Sequence, residues 1–447
     1  MEKFLFKKIS VWIVGLLIIF FVILLIFSSG VLRDSYLGIN KSPKLIRDIF
    51  LTLSEIPKNI YHTSKHLIGF NINTPPKLQK HTQKKKFEKF ISNKRNALLI
   101  LPRYDHGLKR SIIEIVDLNN FEVIHTYKHD ISVMHTQVKL TIDDAPIRFE
   151  YRHPLLLEDG SIVSDSDYTP EFKIDFCSNL VWINDEGIFH HSKMLDHEGN
   201  IWIPGQIKLS KYVKKFKINE FFDDAIIKID PGGKILYSKS IIEILIENKI
   251  LPNNFALNSY LSNEKDPIHL NDIEPAFTDS KHWKKGDLFL SIRDQSAIIH
   301  YRPSSNKVIN YITGPFAWQH DVDIISNKEI SLFNNNNFIV DNKYSEVMIY
   351  NFETNKFKKL FNKQLQKENF KTYTQGLSHI FKDGSLMVEE QNHGRLLLFN
   401  NKGEKEWEFV NKSDDGDIGF ISWSRIIEDD LFIENYKGIV KSNKCTN

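Results

Sequence analysis

From Asn96 onward one pattern recurs, and it limits the fold more than any other feature of the chain. A run of apolar-rich residues crosses a turn marked by Asp, Asn, Pro or Gly and resumes as a second run. The copies begin at Ser111 (SIIEIVDLNNFEVIHTY), Leu180 (LVWINDEGIF), Ala225 (AIIKIDPGGKILYS), Ala297 (AIIHYRPSSNKVINYI), Val347 (VMIYNFETNKFKKLF) and Leu396 (LLLFNNKGEKEWEF). Their period-2 alternation and their Gly-, Asn- and Asp-bearing turns predict six β-hairpins. A second unit sits between them, at His153 (HPLLLEDGSIV), His191 (HSKMLDHEGNIWI), Leu270 (LNDIEPAF), His320 (HDVDIISNKEISLF) and Leu377 (LSHIFKDGSLMV). One hairpin plus one such unit makes four strands.

Four strands cannot bury two faces alone, so the units must pack side by side, and radial packing leaves only short edges. The expectation is an all-β chain: a six-bladed β-propeller over residues 93–447, with two stacked β-sandwiches as the alternative. Gln206–Asp223 and Ile242–Asp266 read as insertions. LFIENYKGIV from Leu431 reads as a last strand that could close the ring.

The N-terminus obeys different physics. Ile9 to Leu32 carries no charge and, at 1.5 Å per residue as a helix, is long enough to cross a hydrocarbon core of about 30 Å. Its apolar run exceeds that of a secretory leader, and only Ser28-Ser29-Gly30 stands where a cleavage site would be, so an uncleaved signal anchor is expected. Residues 1–8 form a short tail before it. Residues 33–92 read as a juxtamembrane helix from Ser42 to Ile56, ending before Pro57, and then a basic linker (KLQKHTQKKKFEKF) suited to a solvated connector or to anionic headgroups. The expected location is the inner membrane, with the propeller on the periplasmic or extracytoplasmic side.

Charge and cysteine content narrow the function. Lys+Arg 59 against Asp+Glu 56 leaves +3, which predicts no nucleic-acid partner. Cys177 and Cys445, the two cysteines, exclude a disulfide scaffold or a cysteine-built zinc site, though they could pair with each other. No nucleotide-cradling loop or metal-ligand spacing occurs, so no metal and no cofactor is expected.

In a propeller the starts of the inner strands line the central channel. The residues just before the second units are His153, His190-His191, His269-Leu270-Asn271-Asp272, Gln319-His320-Asp321 and Gln375, and the strand after His269 runs into Ser291-Ile292-Arg293-Asp294. Histidines at matching positions of at least three repeats point to one axis. A neutral imidazole is a nucleophile near pH 7, and an arginine fork suits a tetrahedral oxyanion, so this set fits transfer of a sulfuryl or phosphoryl group. The competing roles are structural: His320-Asp321 in an internal network, or Arg293 paired with Asp294 or Asp272. A metal-dependent hydrolase and a tethered, non-catalytic binding module are the other functional alternatives.

The stretches HLNDIEPAF (269–277), GDLFLSIRDQSAIIHY (286–301) and FAWQHDVDIISNKEISLFNN (316–335), with looser agreement at 190–202 and 375–388, resemble the bacterial arylsulfotransferase family that uses no nucleotide sulfate donor. The resemblance implies transfer of a sulfuryl group from a phenolic sulfate ester to a phenolic acceptor through a sulfated histidine, in two ping-pong halves. It makes His320 the nucleophile. His269 and Asn271 would bind the sulfuryl oxygens and assist the proton, and Arg293 would clamp the anion. One further family histidine falls on the His190-His191 pair, either member fitting. Gln319 and Asp321 flank the nucleophile as substrate-binding candidates. Phe316, Trp318 and Trp283 are candidates to stack an aryl ring.

Overall fold

The computed structural model describes residues 10–36, 42–67, 86–92, 94–129, 131, 149–166, 168–206, 208, 210–212, 222–250, 266–337, 344–414 and 416–445. The chain divides into two compact units, Met1–Thr74 and Pro75–Asn447.

In the first unit, helix α1 spans Val11–Tyr36, and its stretch Val11–Asp34 has mean hydropathy 3.1 with none of its most apolar window buried. A helix this long and apolar can cross a membrane. Helix α2, Lys44–Leu67, is amphipathic and contains Pro57 rather than ending before it. Proline removes one N–H, and so one bond to the preceding turn, which a helix of 24 residues survives. The short tail 1–8, Ile9 and most of the basic linker lie outside the described residues.

The second unit is all-β and propeller-like. Among the described residues it contains five antiparallel sheets. Two four-stranded sheets run in simple order, from Leu270–Pro275 to Lys307–Thr313 and from His320–Ile324 to Lys356–Leu360. An eight-stranded sheet covers Arg152–Leu156 through Ile235–Ser240. Its two halves meet where Gly205 pairs with Phe189. A Cβ on Gly205 would stand 2.6 Å from the Ile188 carbonyl oxygen, so that junction requires glycine.

The remaining two sheets tie the chain's distant parts together. Strand Arg425–Ile427 pairs with Leu98–Ile100 of the sheet formed by residues 98–127. Strand Phe87–Lys89, inside the stretch expected to be linker, pairs with Trp407–Phe409 on the sheet of residues 377–410. Apolar cores fill the spaces between neighbouring sheets. Ile113, Tyr127, Tyr151 and Phe172 form one, Ile226, Leu270, Leu288 and Tyr301 another, and Leu99, Leu377, Leu398 and Trp423 a third.

The turns repeat one device. Asp196 Oδ1 accepts from the backbone N–H of Glu198 and Asn200, Asp230 Oδ1 from Gly232 and Lys234, and Asn400 Oδ1 from Lys402 and Glu404. A left-handed glycine follows each, at Gly199, Gly233 and Gly403.

Two expected elements differ. LVWINDEGIF is not a hairpin but one irregular strand, Leu180–Phe189, because Asn184 turns its side chain to the Gly233 carbonyl and the Glu186 N–H instead of starting a turn. LFIENYKGIV is not a strand but most of helix α3, Asp430–Ser442, whose first turn is capped by Asp429 accepting from the Phe432 N–H. Ile433 and Tyr436 of this helix pack into the core of the first two sheets, and Cys445 just beyond it forms a disulfide with Cys177. The strand that joins the two ends of the ring is the short Arg425–Ile427 before the helix.

Candidate active site

A shared backbone feature opens the inner strands. His153, His191, His269, Gln375 and Trp423 all have φ between 37° and 63°, the left-handed region that non-glycine residues seldom occupy. His153 lies in the strand Arg152–Leu156, and the other four each stand one to three residues before a strand. Beyond them the chain is fixed by the neighbouring sheet. Asp224 accepts from the Leu270 N–H (2.6 Å), Asp272 from Val322 (2.6 Å), Asp321 from Ser378 (2.7 Å), and Glu389 from Trp423 (2.8 Å) and Ser424 (2.7 Å). One carboxylate per step thus positions the next strand's entrance.

These entrances bring the imidazoles together. The His191 ring centroid lies 5.0 Å from that of His269, 6.2 Å from His320 and 4.9 Å from His190. The indole of Trp423 closes the group, 5.6 Å from His191, 5.8 Å from His320 and 5.4 Å from His153. All of these side chains are buried. Among the described residues no set of three or more His, Cys, Asp or Glu is arranged to hold a metal ion.

The hydrogen bonds fix which nitrogen of His320 is bare. Asn335 donates its Nδ2 to the carbonyls of Thr372 (3.1 Å) and Gln375 (2.7 Å), which leaves Oδ1 as acceptor. His320 Nδ1 lies 2.6 Å from that oxygen and 3.1 Å from the Trp318 carbonyl, both acceptors, and therefore carries the proton. The lone pair is on Nε2, which is buried and has no hydrogen-bond partner. Burial first, and the Arg293 charge second, hold this imidazole well below its ordinary pKa, outweighing the opposing bond to Asn335. At neutral pH His320 is an uncharged ring with an unoccupied lone pair.

His269 has a different environment. Its Nδ1 lies 2.5 Å from Asp266 Oδ2, and Asp266 Oδ1 accepts its backbone N–H. Burial raises the Asp266 pKa, but the bond and charge of His269 outweigh it and keep the carboxyl below its usual range. This is the carboxylate–imidazole pairing that lets the far nitrogen give or take a proton.

The His190-His191 doublet resolves into front and back. His190 Nε2 lies 3.1 Å from Asp224 Oδ1 behind the pair, and His190 Nδ1 lies 2.7 Å from His191 Nδ1. His191 is the member nearest both His269 and His320. Burial, then the charges of His190, His269 and Arg152, hold its pKa well below the ordinary value.

Arg293 Nε donates to Asp294 Oδ1 (2.6 Å), and its guanidinium lies over the Trp318 ring at 5.1 Å. Trp318 is 41% exposed, whereas Phe316 and Trp283 are packed in an apolar core. Of the aromatic candidates only Trp318 faces solvent. Asn271 donates Nδ2 to the Gln319 carbonyl (2.8 Å) and leaves Oδ1 without a partner. Gln319 donates to Ser291 Oγ and to the Ala297 carbonyl, and Asp321 is taken up by Ser378.

Asn335, Asp266, Asp224 and Trp423 were not singled out from the sequence. Hairpin register could have found Asn335, since Phe333 pairs with His320 and residue 335 lies just past it. Nothing in the spacing marks the other three.

The protein is propeller-like, with buried imidazoles of several inner strands gathered beside one indole. Residues 159–412 match the model of the family described as Arylsulfotransferase (ASST), and the chain belongs to that family. No curated protein sequence matches the chain. Similar solved structures include a protein of unknown function from Bacteroides caccae (12% identity, covering 74% of this chain and 99% of that one, TM-score 0.47). TolB from Acinetobacter baumannii (12%, 74% and 66%, 0.43) and virginiamycin B lyase from Staphylococcus aureus (12%, 60% and 72%, 0.33) are also similar.

Proposed function

We propose that this protein moves a sulfuryl group from a phenolic sulfate ester to a phenolic acceptor through a sulfohistidine at His320. The observation that carries this reading is the bare Nε2 of His320, its tautomer held by Asn335, inside a group that includes His269 and His191.

In the first half-reaction the Nε2 lone pair attacks sulfur and an N–S bond forms. The S–O bond to the aryl group breaks, and its electron pair leaves on the phenol oxygen, which takes a proton from Nε2 of His269. In the second half the acceptor phenol attacks sulfur and gives its proton to His269. The N–S bond breaks and its pair returns to His320. Asp266 holds the Nδ1–H of His269 through both halves, so that Nε2 is the nitrogen that gives up the proton and regains it. Arg293, and the second amide hydrogen of Asn271, bind sulfuryl oxygens. His191 serves as the third imidazole and His190 as its support. Gln319 and Asp321, flanking the nucleophile, hold the loop that carries His320 and stand beside the substrate.

We take the eight-stranded sheet as two blades, which makes six. The apolar core of Leu155, Val163, Ile203 and Ile227 between its halves supports that count. We take α1 as an uncleaved anchor with the propeller outside the cytoplasm. The Cys177–Cys445 disulfide supports that side, because such bonds persist in oxidising compartments.

The test is incubation of the purified chain with 4-nitrophenyl sulfate and phenol. Nitrophenol release is expected, with a sulfuryl adduct on His320 in enzyme trapped without acceptor. His320→Ala should abolish both. Activity near wild type in that variant would end the assignment.

A further inference from the structure

We infer that the indole N–H of Trp423 is a hydrogen-bond donor to the anionic oxygens of the group bound at the axis. This rests on the sulfuryl-transfer reading for the identity of the group, though not for the existence of an anion site.

Trp423 is fully buried, and its Nε1 has no hydrogen-bond partner. An indole nitrogen can only donate, and a buried donor left unpaired costs free energy that folded proteins seldom leave uncompensated. The ring is not there for packing alone, because three imidazoles surround it. His153, His191 and His320 all meet it edge-on, with centroids 5.4, 5.6 and 5.8 Å away. Two of those imidazoles also hold buried, unpartnered nitrogens, His153 Nδ1 and His320 Nε2. Orphaned polar atoms so gathered at one place are what a site looks like before its ligand arrives.

The backbone argument points the same way. Trp423 has φ 60°, the conformation that His153, His191 and His269 adopt at the starts of their own inner strands. It is thus the closing sheet's contribution to the same ring of side chains. Glu389 fixes it by accepting from both the Trp423 and Ser424 N–H groups and from the Ser424 hydroxyl at 2.6 Å. The residue lies beyond 159–412, the part of the chain that the family model matches.

The chemistry of the donor suits the task. A sulfuryl group keeps its peripheral oxygens in both the ester and the N-sulfo form, so a fixed donor to them acts in both half-reactions. Arg293 supplies one charged donor. A neutral indole adds a second without placing another cation against His320.

Trp423→Phe removes the N–H and keeps an aromatic ring. In the full chain we expect kcat/KM for 4-nitrophenyl sulfate, and for the phenol in the second half, each to fall about 10²-fold or more, the lower range for a preorganised oxyanion donor. In ¹⁵N-labelled wild type, titration with inorganic sulfate should shift the Trp423 indole proton saturably, and that resonance should be missing from the variant. If Trp423→Phe does not fold, the resonance is assigned in wild type through its contacts to the His153 and His320 ring protons, and the titration decides. An unmoved resonance, or unchanged kinetics in a folded variant that still sulfates His320, overturns the inference and leaves the transfer reading intact. A sulfate-dependent shift in a wild-type protein that releases no nitrophenol upholds the anion site and ends the transfer reading.

Discussion

Asn335 shows how much a single side chain can decide. It bears no charge, yet its Oδ1, the nearer of two acceptors with the Trp318 carbonyl, holds the His320 proton on Nδ1 and so the lone pair on Nε2. Replacing it with leucine keeps the volume and removes the nearer acceptor, leaving the Trp318 carbonyl at 3.1 Å. The first half-reaction should slow by on the order of 10²-fold, the lower bound for a misplaced acid–base tautomer, with KM for the donor nearly unchanged. Stopped-flow nitrophenol release measures both. In wild type, the acid limb of that rate should lie below the ordinary imidazole pKa of about 6.5, because burial and Arg293 keep His320 neutral to lower pH. A second residue-scale consequence concerns Asp272, whose pKa is pushed up to about 7, chiefly by burial, with the Asp323 charge adding to it. Between the ordinary carboxyl pKa of about 4 and about 7, the folded state holds a proton there that the unfolded state has lost. The unfolded chain binds fewer protons, so this group makes stability fall as pH rises through that window. Asp272→Asn should flatten that part of the stability–pH curve in denaturant melts. A variant curve as steep as wild type would contradict the assignment.

At the scale of elements, the sequence exposed what repeats and concealed what occurs once. Hairpins such as Ala225–Ser240 and Ala297–Thr313 were legible because strand alternation and turn chemistry agree locally. The imidazoles were legible because they recur at one position of successive units. Helix α3 was not, since Leu431, Phe432, Ile433, Tyr436, Ile439 and Val440 look equally apolar as a strand, and only the Asp429 cap marks the difference. The strand Arg425–Ile427 is too short to carry a period at all. Asp224 and Trp423 act through partners far away in the chain, which no local pattern encodes. Helix α3 also has a measurable energetic role. Tyr436 meets the Tyr127 hydroxyl at 3.0 Å inside the first core, and the Cys177–Cys445 bond holds the helix end across a sequence separation of 268 residues. Replacing both cysteines with serine should lower stability by about 2–4 kcal/mol through the freedom returned to the unfolded chain. Urea unfolding without reductant reads this as a shift in midpoint. No shift would mean that the bond does not form in the native protein.

On the scale of the whole molecule, closure is the feature on which the axis depends. The sheet of residues 98–127 takes its innermost strand, Arg425–Ile427, from the far end of the chain, and Ser422-Trp423-Ser424 leads directly into that strand. Two truncations separate closure from the rest. Ending the chain after Ser442 removes Cys445 and leaves the closing strand and helix α3 in place. It should give a folded, active protein weakened by the loss of the disulfide. Ending it after Ser424 removes helix α3 and the strand as well and leaves Leu98–Ile100 as an open, fully apolar edge. Exposed edges of that kind pair with other chains. The second product should elute as aggregate in size-exclusion chromatography in detergent and release no nitrophenol, because the axis has lost its fixed geometry together with Trp423's support. Retained activity in the shorter chain would mean that the imidazole cluster is held by the remaining sheets alone, and that the pairing of the chain's two ends is incidental to the chemistry.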